Sequence, residues 1–103
     1  MTTSTLHTVS KSPFQSNLLA DCLNVAQASQ SIVLLEDGVY GVLASSPTNE
    51  KLAEFINAGG HVFALDIDLA ARGISTQYDK ITPLDYNRFV ELCTQHNPIQ
   101  SWY

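Results

Sequence analysis

Positive charge is scarce in this 103-residue chain. Lys11, Lys51, Arg72, Lys80 and Arg88 are its five basic residues, scattered singly against ten acidic ones, for a net charge of −5. With no basic patch to neutralise a run of phosphates, direct nucleic-acid binding is not expected. Cysteine is scarce too. Cys22 and Cys93 form neither a disulfide framework nor a C-x-x-C motif, so reduced thiols and a cytoplasmic location are expected. Long apolar runs are missing: the longest strictly aliphatic stretch, Ile32–Leu35, is far too short for a membrane span. The Met1-Thr2-Thr3-Ser4-Thr5 start lacks the charged and apolar regions of a secretory signal. Gly38-x-x-Gly41 and Gly59-Gly60 match neither nucleotide-binding fingerprint, and there is no Gly-x-Ser-x-Gly elbow. His7, His61 and His96 lie far apart and the cysteines have no ligand spacing. No zinc site and no cofactor are therefore expected.

What remains is ordinary globular composition, 45% hydrophobic and 15% charged. At this length it makes one domain, spanning residues 1–103. Ile32–Leu35 is apolar without alternation, as in a central parallel strand covered on both faces. Glu36 and Asp37 stand where it ends, the side of an α/β sheet where ligands bind. Asp37-Gly38 between apolar runs also fits a type I′ hairpin turn. The preferred reading makes Asp37 the N-cap of a short helix over Gly38–Ala44, because Gly41 would sit mid-strand and Val39–Leu43 does not alternate. Such a helix is apolar nearly all round. It belongs in this chain's core or against another subunit, which makes Val39, Tyr40, Val42 and Leu43 interface candidates.

The other elements follow from local signals. Thr5–Val9 reads as a first strand, with His7 a hydrogen-bonded strand histidine. Ser12–Gln15 reads as a turn, and a helix capped by Ser16 or Asn17 runs to about Ala28. Leu19, Cys22, Leu23 and Ala26 form its apolar face, which makes Cys22 a small core residue. A reactive thiolate needs a helix N-terminus or a cation nearby; Cys22 lies past the first turn, beside Asp21. Thr48 or Asn49 starts a helix carrying Leu52, Phe55 and Ile56, ended by Gly59-Gly60. His61–Leu65 is a strand, and Asp66 caps a short helix over Ile67–Arg72 closed by Gly73. Pro83 makes Ile81–Leu84 an edge strand. Asp85 caps a last helix with Tyr86, Phe89, Val90 and Cys93 on one face, and Asn97-Pro98 breaks it. Cys93 reads as core. Ile99–Tyr103 is an apolar tail whose Trp102 and Tyr103 must dock on this chain or a partner.

This alternation predicts an α/β fold: one three-layer domain, a mostly parallel sheet of four to five strands, and helices on both faces. Carboxylates at two strand ends also suit a Mg²⁺-dependent receiver domain. That reading needs a lysine at a later strand end, and Lys80 precedes its strand.

The ordered set Leu6-His7-Thr8, Lys11-Ser12-Pro13-Phe14, Cys22-Leu23, Leu34-Leu35-Glu36-Asp37-Gly38-Val39-Tyr40, Asp68-Leu69-Ala70-Ala71-Arg72-Gly73, Asp85-Tyr86 with Phe89-Val90, and Trp102 resembles the DsrH/TusB family nearly end to end. The resemblance implies a cytoplasmic subunit of a heterohexamer that relays sulfur as a persulfide. Its implied partners are sister chains of the DsrE/TusD and DsrF/TusC types and a downstream carrier of the DsrC/TusE type. In the TusB branch the sulfur ends in 2-thiouridine at the tRNA wobble position; in the DsrH branch it serves sulfur oxidation. The principal persulfide cysteine of such complexes belongs to the DsrE/TusD-like chain. Cys22 matches a cysteine that many DsrH-like chains carry, and is the one candidate carrier here. Cys93 matches no family motif. The chain is thus expected mainly to assemble and dock, with Cys22 as sulfur carrier the alternative.

Overall fold

The computed structural model describes residues 5–75 and 81–103. In chain order it holds β1 (Leu6–Val9), α1 (Leu18–Val25), β2 (Ser31–Leu34), a 3₁₀ segment (Glu36–Val42), α2 (Asn49–Asn57), β3 (His61–Leu65), α3 (Asp66–Ala71), β4 (Ile81–Leu84), α4 (Tyr86–Gln95) and β5 (Ile99–Trp102). The strands lie in the order β4-β3-β2-β1-β5, every pair parallel. The non-alternating run Ile32–Leu34 is central, and all three residues are fully buried. Strand β4, with Pro83, lies at one edge as expected.

Right-handed crossovers explain the layering. From β1 to β4 the chain steps steadily one way across the sheet, with α1, the 3₁₀ segment, α2 and α3 on one face. There Leu19, Cys22, Val39, Val42, Leu52, Phe55 and Leu69 pack on Val9, Ile32, Leu34, Val62 and Ala64. To reach β5 at the far edge the chain must turn back. A right-handed return places α4 on the other face, where Phe89, Leu92 and Cys93 cover Leu6, Val33, Leu65 and Leu84.

Some ends form as the local signals predict. Ser12–Gln15 is a turn, with the Gln15 N–H donating to the Ser12 carbonyl at 3.1 Å. Asn17 is the N-cap of α1 but makes no side-chain cap; the Ser16 hydroxyl before it accepts from the Leu18 N–H at 3.1 Å. Asp85 caps α4, its carboxylate accepting from the Arg88 N–H at 2.8 Å. Gly59 and Gly73 take the left-handed conformation (φ +108° and +65°) and close α2 and α3.

Other expectations need correction. Helix α1 stops at Val25, with Ala26 already extended, short of Ala28. The segment after β2 is a 3₁₀ helix, not a hairpin, and its N-cap is Leu35 in place of Asp37. Asp66 does not cap α3: β3 runs straight into the helix, so Leu65 is the N-cap and Asp66 lies in the first turn. Thr48 spends its hydroxyl on Ser46, 2.9 Å away, and leaves α2 without a side-chain cap. The tail is a fifth strand, with Ile99–Trp102 paired to Leu6–Val9.

Candidate functional site

Because every strand is parallel, all the strand-to-helix turns leave one edge of the sheet, where open α/β sheets place their sites. At the end of β2, Glu36 adopts a left-handed backbone (φ +50°). Its N–H donates to the Asp68 carboxylate at 2.8 Å, which holds this uncommon conformation from a second element. Gly38 follows and packs so closely on the end of β1 that any Cβ would run into the Val9 carbonyl oxygen. The 3₁₀ segment therefore crosses over the end of β1, and Val39 and Val42 plug into the core.

Arg72, at the end of α3, ties the two strand ends together. Its Nε and Nη2 donate to Asp37 Oδ1 at 2.9 and 2.8 Å. Nη1 donates to the Asp68 carbonyl at 3.2 Å and lies 3.6 Å from the Asp68 carboxylate. The guanidinium stands 6.0 Å from the centre of the Tyr40 ring. The hydrogen bonds that Arg72 donates to Asp37, with the charges of Asp37 and Asp68, hold Arg72 protonated more firmly than usual. Two segments some thirty-five positions apart in sequence thus form one latch. This contact draws Asp37 away from capping, since its carboxylate points to Arg72 across the strand ends. Beside the latch, Ser12, Phe14, Gln15, Asp37 and Tyr40 line an open hollow of about 350 Å³.

Cys22 is fully buried on the sheet-facing side of α1. Burial alone pushes its thiol up from 9.0 to about 12, so it carries a proton at neutral pH. Cys93 is half-buried under α4, and burial raises it as well. The sheet separates the two thiols, one in each apolar layer.

The expected interface residues divide. Val39 and Val42 are 0% and 3% exposed inside this chain's own core, so at this segment only Tyr40 and Leu43 keep partial access to the surface. Trp102 docks on its own chain: its Nε1–H donates to His7 Nδ1 at 3.2 Å. That leaves His7 Nε2 as the donor to Gln30 Oε1, 2.9 Å away. His7 is thus a buried, hydrogen-bonded strand histidine. Tyr103 is 83% exposed. Lys80, which the receiver reading turns on, lies outside the described residues. Sequence reasoning missed the Arg72 latch. Its only trace was that both partners fall inside the motifs that carried the family resemblance.

Comparison with known proteins agrees with this geometry. The family model for DsrH-like protein matches residues 11–99. A protein named TusB from Serratia proteamaculans is 42% identical over 98 residues, covering 94% of this chain and 99% of that protein. Its namesake from Yersinia pestis is 37% identical over the same span. The crystal structure of the YchN protein from E. coli superposes with a TM-score of 0.87 at 14% identity, covering 98% of this chain and all of that one, a likeness of fold.

Proposed function

This chain belongs to the DsrH/TusB family of sulfur-relay subunits, and on that premise we propose that it assembles and docks within the relay and does not itself carry sulfur. The observation that carries this reading is the state of Cys22. A persulfide carrier needs an accessible thiolate. Cys22 is fully buried, with a thiol raised to about 12. Cys93 is the more accessible of the two, but its thiol is raised as well.

In this proposal the chain joins sister chains of the DsrE/TusD and DsrF/TusC types, two copies of each, in the cytoplasm. The persulfide resides on the DsrE/TusD-like chain and passes to a DsrC/TusE-like carrier. The relatives named TusB favour the branch that ends in 2-thiolation of the tRNA wobble uridine over the sulfur-oxidation branch. The acidic balance fits a subunit that meets proteins and leaves RNA to others. No helix among the described residues is long and apolar enough to cross a membrane. The receiver alternative loses its support, because Asp37 is engaged by Arg72 and the family lies elsewhere.

The test is to co-express the chain with its two sister chains and weigh the product by native mass spectrometry. A particle with two copies of each of three chains is expected. A chain that stays apart from both partners would contradict the proposal.

A further inference from the structure

Strand β5 is the least buried strand of the sheet. Ile99, Gln100 and Ser101 are exposed, and only Trp102 packs against the core layer under α1. The backbone of β5 pairs with β1 on one side and has no neighbour on the other. The Thr8 hydroxyl adds a water-exposed bond to the Ser101 hydroxyl at 3.2 Å. The remaining tie is the indole Nε1–H of Trp102, which donates to His7 Nδ1.

The direction of that bond is fixed at both ends of the imidazole. An indole N–H only donates, so Nδ1 must accept. On the other side the Gln27 N–H donates to Gln30 Oε1 at 3.0 Å, which pins that oxygen as the acceptor facing His7. Nε2, 2.9 Å from the same oxygen, must therefore carry the ring's proton. A neutral imidazole has one donor and one acceptor and satisfies both partners. An imidazolium donates from both nitrogens, so its Nδ1–H would meet the Trp102 N–H head on. His7 is buried, and water reaches that nitrogen only if a neighbour moves.

No nearby charge repairs the conflict. Strands β2 and β5 and the turn over residues 26–30 carry no charged residue. On α1 the titratable groups are Asp21, which is exposed, and Cys22, which keeps its proton at neutral pH. Lys11, Glu36 and Asp37 stand past the carboxyl end of β1. His61 is exposed at the start of β3, and Tyr103 is exposed after β5. His96, shortly before β5, donates from Nδ1 to the Leu92 carbonyl at 2.7 Å, a bond that protonation leaves intact. Among the described residues no carboxylate lies within ion-pair distance of His7.

We propose that His7 and Trp102 form a proton-sensitive clasp: β5 stays on β1 while His7 is neutral and comes away when the ring is protonated. The attachment is complete at neutral and alkaline pH and is lost as the pH falls. Release bares the backbone N–H and C=O groups along β1, a strand edge open to another chain. The surface that the subunit offers thus changes with protonation. The clasp does not depend on the relay reading above.

The test follows hydrogen exchange of the full chain from about pH 8 to about pH 5, the range in which imidazole changes charge. Protection is taken against the rate of an unstructured chain at each pH, which divides out the direct effect of acid. Protection in β5 should fall about tenfold or more relative to β2. Trp102 is the only tryptophan, so a red shift of its emission over the same range reports the same release. His7→Asn sets an amide oxygen where Nδ1 accepts and takes up no proton. Trp102→Phe removes the donor that the protonated ring would meet. Both variants should give a flat profile, while His61→Asn and His96→Asn should keep the wild-type fall. A flat wild-type profile, or a fall that persists in His7→Asn, would overturn the clasp. So would nitrogen NMR shifts of the wild type that place the neutral ring's proton on Nδ1, a measurement that needs no variant.

Discussion

Cys22 shows how packing decides chemistry. On an apolar helix face it is a small hydrophobic residue, and its thiol responds to desolvation with no cation to offset it. The folded chain keeps the proton where an unfolded chain loses it. The resulting stabilisation is fully present below about pH 9 and is lost as the pH rises toward 12. The slope is up to about 1.4 kcal/mol per pH unit. Urea titrations of wild type and Cys22→Ala at several alkaline pH values should show this extra loss in the wild type alone. Thiol labelling of the native protein at neutral pH should reach Cys93 first and Cys22 only on unfolding. Rapid native labelling of Cys22 would contradict its assigned place.

At the scale of elements, the 3₁₀ segment and β5 are set by distant contacts. Gly38→Ala forces a methyl group against the backbone of β1, which no side-chain movement relieves. A loss of about 2 kcal/mol is expected. Thermal unfolding should fall by on the order of 10 °C. A wild-type-like Tm would mean that the segment does not lie against Val9. Trp102→Phe keeps an aromatic ring but removes the donor to His7, a residue 5% exposed. The expected cost is about 1–2 kcal/mol, with hydrogen exchange faster in β5 than in β2; equal exchange in both strands would contradict it. The same two elements mark where the sequence could be read. Ile32–Leu35 declared a central strand because burial on both faces writes itself as an unbroken apolar run. Asp85 declared a cap because the group it serves is three residues away. Asp37 carries the same local signal as Asp85 but answers to Arg72 on another helix, and no local pattern records that. Asp66 fails as a cap because no turn separates β3 from α3. Ile99–Trp102 shows no alternation, and its pairing with β1 joins opposite ends of the chain.

At the scale of the whole molecule, a single topological fact organises the rest. All five strands run the same way, so the strand-to-helix turns, with the left-handed Glu36 and the Arg72 latch, share one edge. The apolar segment that looked available to another subunit is largely consumed in this chain's own core through Val39 and Val42. The same packing leaves the Cys22 thiol out of reach. The central claim is that sulfur passes through the complex without residing on Cys22. The most direct measurement replaces Cys22 with serine, assembles the complex with its sister chains, and follows labelled sulfur from the persulfide donor to the downstream carrier. Transfer close to the wild-type rate is predicted, with stability lowered by about 1 kcal/mol for a hydroxyl placed in the core. Transfer that collapses while the assembly stays intact would contradict the account and make Cys22 a carrier.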